Sequence, residues 1–195
     1  EHIIQMVQLY RQRYEYYGHG KAHQAYVGLG GQAFMAKNSQ DAVQQFRPYF
    51  DNAPVYGHGP SLEQFTKMTP LTVGSPQQVI ERTLEFRDWV GDYQRQMFLM
   101  DHAGLPTDVV LEQLDLLGEE VLPVLRKEFA ALKPADVPEA PSHEFLVERA
   151  RRGEAPVPGG KEGSQAWKDA QERAAQAAAS SADAAPSTST STKEK

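Results

Sequence analysis

The chain has 195 residues, 40% of them hydrophobic and 24% charged, with a formal net charge of -6, which is the composition of a folded globular protein. No window approaches the roughly 20 apolar residues of a membrane span, and the N-terminus lacks the basic-then-apolar layout of a signal peptide, so no membrane partner is expected. With no cysteine there is no disulfide framework, thiolate nucleophile or zinc-thiolate site, and the acidity argues against a nucleic-acid partner; a cytoplasmic location is the expectation.

Taken in chain order, Ile3, Val7, Tyr10, Tyr14 and Tyr17 recur at alternating steps of four and three. That spacing predicts one apolar face of a helix, ended by Gly18 and Gly20. Ala25 to Ala36, AYVGLGGQAFMA, is too short and too Gly-broken for a helix and suits a buried strand. Asn38 and Ser39 offer caps for a second amphipathic helix through Ala42, Val43, Phe46, Tyr49 and Phe50, interrupted at Pro48. From Asp51 to Thr69 the Pro, Gly, His and Asn content predicts a long loop with a short helical turn at Ser61 to Phe65. A short strand is expected from Pro70 to Gly74, and Ser75, Pro76 and Gln78 open a third helix to about Val90.

Gln96 to Met100, QMFLM, is a continuous apolar run and reads as a parallel strand covered on both faces. After Asp101-His102-Ala103-Gly104, Pro106 opens a long helix whose Val110, Leu114, Leu117, Val121, Val124 and Phe129 keep one apolar stripe. Pro123 lacks the N-H that would bond the Glu119 carbonyl, so this helix should bend or restart. From residue 131 to residue 195 the Ala, Pro, Ser and Thr content predicts a disordered tail. Ser142 to Arg152 and Gln165 to Ala179 are its two helix-favouring stretches, and Phe145 and Trp167 its two docking candidates.

Alternating strands and helices predict an α/β fold with a parallel sheet. Asp101 and His102 are the candidate catalytic residues, because ligands bind at the C-terminal edge of such sheets and imidazole titrates near neutrality. A capping turn before Gly104 explains the same two residues. Gly28, Gly30 and Gly31 do not form the dinucleotide fingerprint and fit tight packing. Ser75 can hold a phosphate at a helix N-terminus, but ordinary capping is the favoured account of it. The histidines, including His19, His23 and His58, show no metal-ligand spacing, so no metal is expected. Arg11, Arg13, Tyr14, Tyr16 and Tyr17 read as a solvated helix face, not an RNA surface.

The segments VGLGGQAFMAKNSQDAVQQFRPYF, PLTVGSPQQVIERTLEFRDWVG, QRQMFLMDHAGLP and LEQLDLLGEEVLPVLRKEF resemble, in this order, the C-terminal half of bacterial luciferase-like flavin-dependent monooxygenases. Gly74-Ser75-Pro76 leading to Val79, and Leu116 to Arg126, carry most of the likeness, which covers residues 1 to 130. The resemblance implies the C-terminal half of a (β/α)8 barrel and, in the intact enzyme, reduced FMN that activates oxygen to oxidise a small organic substrate. A deazaflavin, F420, serves in some branches of the family. It further implies that the flavin phosphate is held mainly upstream of Glu1, which takes weight from Ser75, and that a flavin reductase and a homodimer are conceivable partners. A barrel takes about 250 residues, so the chain is expected to be a truncation that starts at Glu1 and is inactive alone. The alternatives are a non-catalytic assembly or binding module and an F420-dependent oxidoreductase on the same fold.

Overall fold

A computed structural model describes residues 2–56, 58–153 and 160–183. They fall into two compact units: residues up to Gln8 with Tyr26–Pro138, and Leu9–Ala25 with the residues from Glu139 onward. Helix α1, His2–Tyr16, has its first turns in the former.

The larger unit is an α/β sheet structure. Strand β1, Gly28–Met35, is followed by α2, Ser39–Asn52, and α3, Leu62–Met68. Strand β2, Thr72–Gly74, leads into α4, Pro76–Val90, and strand β3, Arg95–Leu99, into α5, Thr107–Leu116. A five-residue π-helical turn, Leu117–Val121, joins α5 to α6, Leu122–Leu132.

All pairings are parallel and the strand order is β2-β1-β3. Successive side chains on a strand point to opposite faces, and β1 uses both. Phe34 packs with Phe46 and Phe50 of α2 on one side. Ala33 and Met35 pack with Val79 and Ile80 of α4 and with Leu117, Val121 and Leu125 on the other. Helices therefore cover both faces, in the manner of an open doubly wound sheet. A run of consecutive barrel strands would keep β2 between its sequence neighbours and all helices on one face. Here β1 is central, because the α4 crossover carries the chain past it.

Three local expectations differ from what forms. Met97 and Leu99 of β3 are 66% and 46% exposed, so this strand is covered on one face only. It is an edge strand, and its register partners Gly28 and Gly30 are exposed as well. Helix α2 runs through Pro48 to Asn52. The proline and Gln44, whose carbonyl loses its partner, are both exposed to water, which limits the cost. Finally, Leu114 and Val124 are 46% and 41% exposed, whereas Gln113, Leu117, Val121 and Leu125 are buried.

These four buried positions, continued by Phe129 against the same cluster, recur every fourth residue. On an ideal α-helix such a row drifts by about 40° per step. The π-helical turn, in which the Leu122 N-H reaches the Leu117 carbonyl, winds more widely and brings the row back into line. It also ends just before Pro123, so the restart expected from the missing N-H takes this form.

Lengths in the sheet are unequal. On β1, Gly28–Gln32 pair with β3 and Ala33–Met35 with β2, so the β3 side of the last three residues has no strand. Gln113 stands in for it: its Nε2 donates to the Met35 carbonyl at 2.7 Å and its Oε1 accepts from the Met35 N-H. At the other end of the unit, buried Tyr93 donates its hydroxyl proton to the Thr83 carbonyl at 2.7 Å, and burial raises its pKa. Tyr93 also meets Phe129 edge to face, with centroids 5.0 Å apart.

The smaller unit holds the end of α1 with α7, His143–Arg151, and α8, Gln165–Asp183. Tyr16 donates to Asp169 at 2.7 Å, and the Lys161 N-H donates to the Tyr17 carbonyl. The two helices occupy the helix-favouring stretches of the segment expected to be disordered. Trp167 is half-buried and Phe145 exposed; the Ser-Thr repeat of residues 187–192 lies outside the described residues.

The strand order and the role of Gln113 can both be tested. Gly30 and Met97 are register partners on the exposed face, and adjacent strands lie about 4.8 Å apart, within the Cα range of a disulfide. In the otherwise cysteine-free chain, the double variant Gly30→Cys, Met97→Cys should oxidise to an intramolecular disulfide, read by thiol titration. A β1-β2-β3 order would leave both thiols free. Gln113→Leu should lower the unfolding free energy in urea by about 2–4 kcal/mol, since two buried backbone groups lose their partner.

Candidate functional site

Beyond the C-terminal edge of the sheet the β3–α5 loop runs on the α2 side, where Ala103, Leu105 and Val109 pack against the cluster of Phe34, Phe46 and Phe50. Doubly wound sheets bind ligands in the crevice beyond that edge. His102 stands in it, three residues after the end of β3, and is only 6% exposed. Its Nε2 lies 3.2 Å from the Ala33 carbonyl. A carbonyl can only accept, so Nε2 carries the proton and Nδ1 keeps a lone pair.

This bond places His102 beside Gln113 as a second substitute for the missing strand on the β3 side of β1. One ring nitrogen is thereby explained by the fold. The other is not, because Nδ1 is buried and has no hydrogen-bond partner among the described residues. The ring packs on Phe46 with centroids 5.1 Å apart. Burial pushes the imidazole pKa down, an effect only partly opposed by the bond to Ala33 and the charge of Asp101. At neutral pH the group is an uncharged acceptor.

The backbone after it is unusual. Ala103 and Gly104 have φ of +60° and +73°, and the Leu105 N-H bonds the His102 carbonyl at 3.2 Å. Two central residues with positive φ define a type I′ turn. Glycine adopts this at little cost, but Ala103 does not, and among the described residues it is the only non-glycine with positive φ.

His102, Ala103 and Gly104 line a cleft of about 830 Å³ together with Tyr49, Asn52 and the 53–56 segment. The aromatic wall is firm. Tyr56 stacks on Phe50 at 5.1 Å and 7°, and meets Phe65 edge to face. Its hydroxyl accepts from Gln32 Nε2 at 3.3 Å, and burial raises its pKa. None of the lining residues is a carboxylate, Lys or Arg.

Of the residues singled out from the sequence, Asp101 is exposed and next to, not within, this lining. Ser75 is an N-cap: its hydroxyl accepts from the Gln78 N-H at 3.3 Å and the Gln78 side chain accepts from the Ser75 N-H at 3.0 Å. Gly31 is a close approach, since a Cβ there would lie 2.9 Å from the Pro70 carbonyl oxygen. His19, His23 and His58 form no metal-binding group with acidic residues among those described. Sequence reasoning misses Tyr49, Tyr56 and Gln113. The turn-rich composition of 51–69 is the one available signal for Tyr56, and a polar residue on a helix gives none.

No helix among the described residues is long and apolar enough to cross a membrane. The chain matches no known protein family and no curated protein.

The His102 titration has a definite sign. Its folded pKa lies below the ordinary 6.5, so the neutral ring's contribution to stability is complete above about pH 6.5 and is lost as pH falls through the folded pKa. Unfolding free energy should therefore decline as pH is lowered from about 7.5 to 5. In His102→Gln, whose amide can still donate to Ala33, this part of the decline should disappear. An unchanged pH slope would mean that His102 is not the titrating group.

Proposed function

We propose that the chain carries the C-terminal portion of a luciferase-like flavin-dependent monooxygenase, with the cleft at His102 as part of its substrate site. What supports the reading is the position of His102: a buried neutral imidazole with a spare lone pair, at the C-terminal edge of a parallel sheet, beside an uncharged aromatic cleft. The segments that carry the family resemblance also form strand-helix units in the expected succession, β1-α2, β2-α4 and β3-α5.

Reduced FMN, when bound, supplies the electrons that activate oxygen, and in this reading a separate reductase provides it; F420 is the cofactor alternative. The fit of FMN to this cleft is partial. A flat ring suits the aromatic wall, but the phosphate finds no cation among the lining residues, so the cleft does not hold the whole cofactor. The role left to this chain is to accept a hydrogen bond or proton from the substrate at His102 Nδ1 and to exclude water with the Tyr49 and Tyr56 side.

A second reading is favoured by one observation. The order β2-β1-β3 with helices on both faces is not the order of consecutive barrel strands. A half-barrel would require β1 and β3 to separate when upstream strands are added. A non-catalytic binding or assembly module needs no such rearrangement.

The deciding measurement is anaerobic titration of reduced FMN, and in parallel reduced F420, into the longest product of the coding region. Saturable FMN binding supports the monooxygenase, F420 binding alone the oxidoreductase, and neither supports the module. Where oxygen-dependent turnover is found, His102→Gln should lower it by about 100-fold or more with little change in flavin affinity. Unchanged turnover removes His102 from the catalytic site.

A further inference from the structure

We infer that the His102 cleft binds a small uncharged molecule with an apolar, planar body and one hydrogen-bond donor, the donor pairing with His102 Nδ1. The argument begins with the unpaired nitrogen. A buried acceptor without a partner is unfavourable by about 1–3 kcal/mol, and here the fold has already satisfied the other ring nitrogen through Ala33. No described residue pairs with Nδ1, and because it is an acceptor the group that completes the site must donate.

Charge and shape narrow the ligand. Its walls are Tyr49, Tyr56, Pro48 and Pro54, which present flat apolar surfaces, and no ionised side chain lines the cleft. An anion would lose its hydration and meet a lone pair; a cation would find no carboxylate. Both are disfavoured relative to a neutral ring. The polar groups nearby are partly committed, since Asn52 Nδ2 donates to the Pro48 carbonyl at 2.7 Å and the Tyr56 hydroxyl accepts from Gln32.

The turn that follows His102 lines the cleft. Nδ1 has essentially no solvent-accessible surface, so the residues over it must yield for a ligand to reach it. That turn holds Ala103 at φ +60°, where a Cβ-bearing residue is strained by about 1–2 kcal/mol. Releasing the turn relieves the strain, and the new hydrogen bond offsets the packing that the turn gives up. The inference concerns binding alone and does not rest on the flavin reading: phenol binding by a protein that binds no flavin would remove that reading and leave this one.

The test uses the full chain and three probes of similar size: phenol, toluene and benzoate. NMR titration should show phenol binding at least about tenfold more tightly than toluene, a ratio in line with one recovered hydrogen bond, and benzoate not binding. Phenol, and not toluene, should shift the assigned His102 Nδ1 resonance. In His102→Gln the phenol preference should vanish. Equal affinity for phenol and toluene, a phenol shift absent from His102 in the wild-type chain, or a preference retained in His102→Gln would each overturn the inference. The wild-type Nδ1 shift decides the matter even where the variant folds poorly.

Discussion

Past Gln32 the central strand has no described strand on its β3 side, and the backbone groups of Ala33 and Met35 that point there must find partners elsewhere. Buried peptide groups are rarely left unpaired, and the fold meets that demand with side chains. Gln113 gives Met35 both a donor and an acceptor, as a strand would, and His102 caps the Ala33 carbonyl. This pairing fixes where α5 lies against the sheet, which in turn sets the row Leu117, Val121, Leu125 against Met35 and Met100. It also holds the imidazole in one orientation and one tautomer. Structure and candidate chemistry thus share a residue: one ring nitrogen belongs to the ladder, the other has no partner among the described residues.

The two faces of the sheet follow from the crossovers. A right-handed connection from β1 to β2 and another from β2 back past β1 to β3 must put their helices on opposite sides. Phe34 then serves one core and its neighbours Ala33 and Met35 the other. The chain leaving β3 turns onto the α2 side, and the cleft lies between that loop, the C-terminal turn of α2 and the 53–56 segment.

Much of this was legible in the sequence and part was not, for physical reasons. The Gly-interrupted apolar stretch of β1 and the Ser75-Pro76-Gln78 cap of α4 are local signals, and both elements form as those residues predict. The position of His102 followed from the strand before it. Strand order is not local: periodicity specifies an element, not its neighbour, so nothing in QMFLM says that Met97 and Leu99 face water. Gln113 was illegible because its amide is buried only by virtue of what β1 lacks. The apolar stripe through Leu114 and Val124 assumed a uniform helix, and the actual core row depends on a π-helical turn that residue types alone do not announce.

That turn has a consequence for how the chain tolerates change in length. Each residue of an α-helix advances the side chains by about 100°. Removing one residue from Leu117–Val121 would restore regular winding, and the seven remaining steps of about 100° would leave Leu125 within about 20° of the direction of Leu117, so Leu125 and Phe129 would stay on the cluster they pack in. Loops absorb a deletion as slack; this segment absorbs it as a change of winding. The five residues therefore act as a phase adjuster between α5, whose angle is set by Gln113 on the sheet, and α6, whose angle is set by the core.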